Sequence, residues 1–135
     1  MKVFGKKRKG MLPIQSLIGA DMRIEGDVHF KGGLRIDGQV LGNVTTDSND
    51  KSLLVISESG TVTGSVEVGH IVVSGSISGP VHAEELLELH PSAKVSGDVR
   101  YKALEMHPGA VVDGTLHHDH LDTTPGKLAL ASSNT

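Results

Sequence analysis

One five-residue pattern recurs along the chain: an aliphatic residue, any residue, glycine, any residue, an aliphatic residue. It is carried by Ile24, Gly26 and Val28, then by Ile36, Gly38 and Val40, by Val62, Gly64 and Val66, and by Val73, Gly75 and Ile77. It continues through Ile77, Gly79 and Val81, then Val95, Gly97 and Val99, and ends with Val112, Gly114 and Leu116. Alternation of period two is the mark of a half-buried strand, and no helical spacing competes with it. The pattern also repeats in a longer register. Leu54, Ile56, Val62, Gly64, Val66 and Val68 return as Leu87, Leu89, Val95, Gly97, Val99 and Tyr101, and again as Leu104, Met106, Val112, Gly114, Leu116 and His118. A tighter variant, Leu34, Ile36, Gly38, Val40, Gly42 and Val44, returns as Ile71, Val73, Gly75, Ile77, Gly79 and Val81. Met22, Ile24, Gly26, Val28 and Phe30 form a partial first copy.

Repeats this short are single turns of a solenoid, and strand periodicity makes the solenoid a β-helix. Six turns of roughly 15–18 residues are expected between about residues 18 and 118, with residues 45–52 as a polar loop that lengthens one of them. Composition fits. Glycine supplies 17 of 135 residues, while the aromatics are Phe4, Phe30 and Tyr101 alone. An interior sliced into layers ~4.8 Å apart suits stacked aliphatic side chains. Gly64, Gly79, Gly97 and Gly114 fall in one column, where the chain bends and a Cβ would crowd the next turn.

The two ends carry the functional argument. A solenoid needs polar caps to stay monomeric, and no amphipathic capping helix can be read here. The end turns would present unpaired strand edges over a bare aliphatic core, Ile24, Val28 and Phe30 at one end and Leu104, Met106, Val112 and Leu116 at the other. Such edges template further pairing, so polymerisation through the terminal turns is expected. The chain itself is the first expected partner.

Charge is split along the sequence. Residues 1–10 hold Lys2, Lys6, Lys7, Arg8 and Lys9 and no acid, which leaves 8 basic against 16 acidic residues, a net −8, for the rest. A basic arm on an acidic body points to an anionic surface. Nucleic acid is disfavoured, since the body would repel it and no aromatic residues interleave with a basic patch. Val3 and Phe4 sit inside the cluster, so Val3, Phe4, Lys6, Lys7, Arg8 and Lys9 are the expected contacts with anionic membrane lipid. Burying Phe4 is worth about 1.5–3 kcal/mol and each basic residue near anionic lipid about 1 kcal/mol. One arm therefore holds weakly, and many arms on a polymer hold firmly.

The sequence resembles the bactofilins, bacterial polymer-forming cytoskeletal proteins. The resemblance lies in the Phe of the basic arm (Val3 to Lys7), the opening turns around Ile24–Val28 and Ile36–Val44, the repeated glycine-centred strands, and the flanking tails. It implies an all-β fold, a right-handed parallel β-helix of about six turns with disordered tails. The expected division is a basic membrane-targeting tail over residues 1–17, a β-helix over 18–118, and a C-terminal tail over 119–135. The resemblance further implies nucleotide-free filaments and attachment by the N-terminal tail to the cytoplasmic face of the inner membrane. It also implies a scaffold role in cell shape or local cell-wall synthesis, with cell-wall enzymes or polarity proteins as partners.

Enzyme readings fare worse. A left-handed β-helix acyltransferase, or a metal-dependent hydratase of that fold, forms trimers and shows a six-residue period, whereas the columns here are unevenly spaced. No phosphate-binding loop, serine-nucleophile elbow or HExxH motif occurs. The chain has no Cys, which excludes disulfides and thiolate metal sites. No run reaches the roughly 18 apolar residues of a membrane span, and residues 11–20 are too short and broken an apolar run for a secretory signal. His90 and His107, each before Pro, should meet at one corner. His117, His118 and His120 lie near Asp119 and Asp122, and Glu84 and Glu85 read as solvated. No catalytic residue, metal or cofactor is expected.

Overall fold

The computed structural model describes residues 14–47 and 51–119. It forms a solenoid of six turns, each laid down as three strands. Turn one comprises β1 (Ile14–Ile18), β2 (Arg23–Glu25) and β3 (Val28–Phe30). Turn two comprises β4 (Gly32–Ile36), β5 (Gln39–Leu41) and β6 (Val44–Thr46). Turn three holds β7 (Ser52–Ile56), β8 (Thr61–Thr63) and the first half of β9 (Val66–Val73). Turn four holds the rest of β9, β10 (Ser76–Ser78) and the first half of β11 (Val81–Leu89). The rest of β11, β12 (Lys94–Ser96) and the start of β13 (Val99–Met106) make turn five. Turn six is the end of β13, β14 (Val111–Asp113) and β15 (Leu116–His118). No helix occurs among the described residues. All pairings are parallel, in a nine-stranded sheet that wraps two flanks and a six-stranded sheet that closes the third.

The pairing register reproduces the aliphatic columns. Ile24, Val40, Val62, Ile77, Val95 and Val112 stand in successive turns of the smaller sheet. Val28, Val44, Val66, Val81, Val99 and Leu116 form the matching column in the larger one. The inner members are almost wholly buried, Val40 at 0% and Val62, Ile77 and Val95 at 1% exposure. Each fully buried aliphatic side chain contributes about 1.5–3 kcal/mol. Sequence alternation thus becomes a continuous stacked core, and the scarcity of aromatics is its steric condition.

The glycine column is a tight corner. Gly97 has φ +136°, and a Cβ there would lie 2.6 Å from the carbonyl oxygen of Gly79 in the turn below. Gly64, Gly79 and Gly114 occupy the same place in their turns and also have positive φ. A bulge at residues 69 and 84–85 lets β9 and β11 bend from one flank to the next without leaving the sheet. There the buried Ser52 hydroxyl accepts a 3.0 Å bond from the Gly69 amide, so the unpaired Gly69 N–H is met by a side chain.

The solenoid differs from the sequence reading at both boundaries. Strand β1 begins at Ile14, inside the segment read as tail, and pairs with β4. Ser16 occupies a position that later turns fill with Leu34, Leu54 and Ile71, so the aliphatic alternation is broken where the first strand starts. At the other end Asp119, read as tail, is fastened: its amide bonds the Tyr101 carbonyl at 2.7 Å. Residues 45–46 belong to β6 and Ser52 to β7, which narrows the expected polar loop. Residues 1–13 and 120–135, which hold the basic arm and His120, lie outside the described residues.

Candidate self-assembly faces

Among the described residues, the last turn at each end of the solenoid has a partner strand on one side alone. Among the described residues, strands β1, β2 and β3 pair only with turn two, through β4, β5 and β6. At the opposite end, again among the described residues, β14 pairs only with β12 and β15 only with β13, while residues 103–106 of β13 pair only with β11. In a parallel ladder each strand bonds to neighbours on both sides. Both ends therefore carry backbone N–H and C=O groups aimed along the solenoid axis.

Side chains follow the same logic. Ile24 and Val112 end the smaller-sheet column, and Val28 and Leu116 end its partner; all four are half-buried and packed on the core. Leu104 ends the column of Leu34, Leu54, Ile71 and Leu87 in the same half-covered state. Met106 is 45% exposed beyond the fully buried Leu89. Covering what remains open on each such side chain would yield on the order of 1 kcal/mol. Six of the seven expected interface residues thus form two partly bare faces, Ile24 and Val28 on one and Leu104, Met106, Val112 and Leu116 on the other.

Phe30 departs from the expectation. It is 8% exposed and belongs to the buried core. Ile18, left out of the columns by the sequence reading, heads the Ile36, Ile56, Val73, Leu89 column and, at 6% exposure, belongs like Phe30 to the buried core. Its signal was the Ile14, Ser16, Ile18 alternation, interrupted at Ser16.

The histidines separate into local contacts. His90 and His107 meet at one corner as expected, edge to face with ring centroids 5.1 Å apart. His90 and His70 both approach Glu88, at 3.4 and 3.1 Å. His118 stacks on Tyr101 at 5.5 Å and bonds the Lys102 carbonyl. Asp119 is drawn instead to Arg100 and His82, at 2.9 and 3.0 Å. Burial pushes its carboxyl up, but the bonds from Arg100 and His82 outweigh it and hold it below the ordinary carboxylate range. Asp37 is likewise held low, by the bond from Arg35 and then by Ser57.

Stacked parallel turns with two open ends suit a unit of a polymer, and comparison with known proteins agrees. Residues 16–117 match the Bactofilin family profile, described as polymer-forming cytoskeletal. The chain belongs to the bactofilin family. Bactofilin BacO of Myxococcus xanthus is 27% identical over 94 residues, 70% of this chain and 71% of that protein. Bactofilin BacP of the same organism is 29% identical over 85 residues, 63% of this chain and 34% of that longer protein. Among solved structures, Thermus thermophilus bactofilin in double helical filaments aligns with a TM-score of 0.67 and 30% identity, covering 76% of this chain and 99% of the other. The cytoskeletal bactofilin BacA, solved by solid-state NMR, aligns with a TM-score of 0.67 and 33% identity over 77% of this chain and 95% of its own. This bactofilin thus shares the fold of a relative seen in filaments. Among the described residues no helix is long and apolar enough to cross a membrane.

Proposed function

We propose that this bactofilin is a non-enzymatic scaffold that assembles through its terminal turns into nucleotide-independent filaments. The observation that carries the reading is the pair of end faces, where strand edges with single-sided pairing overlie half-covered aliphatic columns. A second copy docked there continues the parallel ladder at about 4.8 Å and completes the columns. The filaments of the Thermus thermophilus relative support it. Negative-stain microscopy of purified protein, with neither nucleotide nor metal added, is expected to show filaments. Discrete particles, trimers above all, would overturn the reading.

The filament is attached to the cytoplasmic face of the inner membrane by the basic arm and serves cell shape or local cell-wall synthesis. Val3, Phe4, Lys6, Lys7, Arg8 and Lys9 make the lipid contacts, and residues 1–9 precede every strand of the solenoid. Anchoring and assembly are therefore separable. Deleting residues 1–9, or changing Phe4 to Ala with Lys6 and Lys7 to Ser, should release the protein from anionic vesicles while filaments persist. Wild-type flotation should weaken with salt, because the charge attraction is screened over about 10 Å at 0.1 M. Equal co-flotation of wild type and both variants would return the arm to the role of a solvated tail.

A further inference from the structure

On one flank of the solenoid the register stacks Glu67, His82, Arg100 and His117 in successive turns, from the third to the last, all facing outward. Together with Asp119 they line an open cleft of about 710 Å³. Asp119 is the organiser. One of its carboxylate oxygens takes the 2.9 Å bond from Arg100, and the other lies 3.0 Å from His82 Nε2. A carboxylate can only accept, so His82 donates through Nε2–H, and in the neutral ring Nδ1 is left with a lone pair.

That lone pair faces acids. Nδ1 lies 3.7 Å from Glu67 Oε2. One ligand atom from each of Glu67, His82 and Glu84 falls within 4.8 Å of the other two. A separation of 3.7 Å is too long for an N–H···O bond. It is close to the roughly 3.4 Å between two atoms that sit about 2.0–2.1 Å from one tetrahedral ion. A ring nitrogen backed by a carboxylate on its far side is the usual arrangement of a metal-bound histidine.

We propose that Glu67, His82 and Glu84 bind a divalent cation of the zinc class, through His82 Nδ1 and one oxygen of each glutamate, with Asp119 as the positioning residue for the imidazole. The imidazole donor selects zinc-like ions over Mg²⁺ and Ca²⁺, which prefer all-oxygen shells. Glu67 belongs to turn three and His82 and Glu84 to turn four, so the ion acts as a staple across two turns on the outer face.

The test is equilibrium binding of Zn²⁺ to the full chain, purified through chelator, by competition with a chromophoric chelator in millimolar Mg²⁺. One ion per chain is expected at micromolar or tighter affinity. Affinity should fall at least ~100-fold in His82→Gln, a loss of a ligand, and ~10–100-fold in Asp119→Asn, a loss of its orienting partner. His117→Gln, in the same cleft, should bind as wild type. Co²⁺ should give the visible absorption of a tetrahedral site in wild type and lose it in His82→Gln. Circular dichroism confirms that each variant is folded. Wild-type affinity weaker than ~100 μM, or undiminished binding in folded His82→Gln, overturns the proposal; filament formation is independent of either result.

Discussion

Leu116→Arg and Val28→Arg are each expected to dissolve the filaments while leaving the solenoid folded. Both residues end the column whose inner members Val44, Val66, Val81 and Val99 are at most 2% exposed. Both are themselves half-buried, so an arginine there can turn outward while the chain is alone. In a joint it cannot, because the next copy covers that space. An uncompensated charge in such a joint costs about 3–5 kcal/mol, or roughly two to four orders of magnitude in the association constant at each contact. Sedimentation at a protein concentration where wild type pellets reads the effect directly, and circular dichroism checks the fold. Pelleting of both variants at wild-type levels, with unchanged spectra, would place the joint on another surface.

A larger effect on the fold itself is expected from Gly97→Val. The backbone there has φ +136°, and the new Cβ would meet the main chain of Gly79, with 2.6 Å to its oxygen and 2.8 Å to its carbon. The unfavourable φ alone costs about 1–3 kcal/mol. The overlap adds to it, because Gly79 is fixed by its own amide bond to the Ser96 carbonyl and cannot recede without parting the ladder. A combined loss of roughly 3–5 kcal/mol is a large share of the 5–15 kcal/mol typical of a domain. The melting temperature should drop by more than ~10 °C. Melting is best followed in the Leu116→Arg background, where association does not add to apparent stability. A drop of less than ~3 °C would mean that the corner relaxes far more easily than its geometry implies.

The sites of these substitutions mark where the sequence was legible. Gly97 and Leu116 could both be placed from spacing alone. A solenoid turns local periodicity into tertiary contact, so residues such as Val62, Val95 and Val112 that match in sequence are neighbours or near-neighbours in space. The first turn was harder to read, because Ser16 interrupts its alternation and hides β1. Phe30 was expected to be bare and is buried instead, at 8% exposure, because burial of an end-turn side chain depends on packing that alternation does not report.

The flank cluster was beyond reach for a different reason. Glu67, His82 and Asp119 share no motif, and their meeting depends on unequal turn lengths that set which outward residues align. Glu84 read as an ordinary solvated acid beside Glu85. The sequence alone determined the all-β solenoid, its six turns and its inward columns, because each of these follows from alternation and glycine placement within a single turn. Apart from the His90–His107 corner, which the repeated His-Pro step marked, tertiary structure alone decided which polar side chains meet across turns, since outward positions carry no packing constraint and leave little periodic trace.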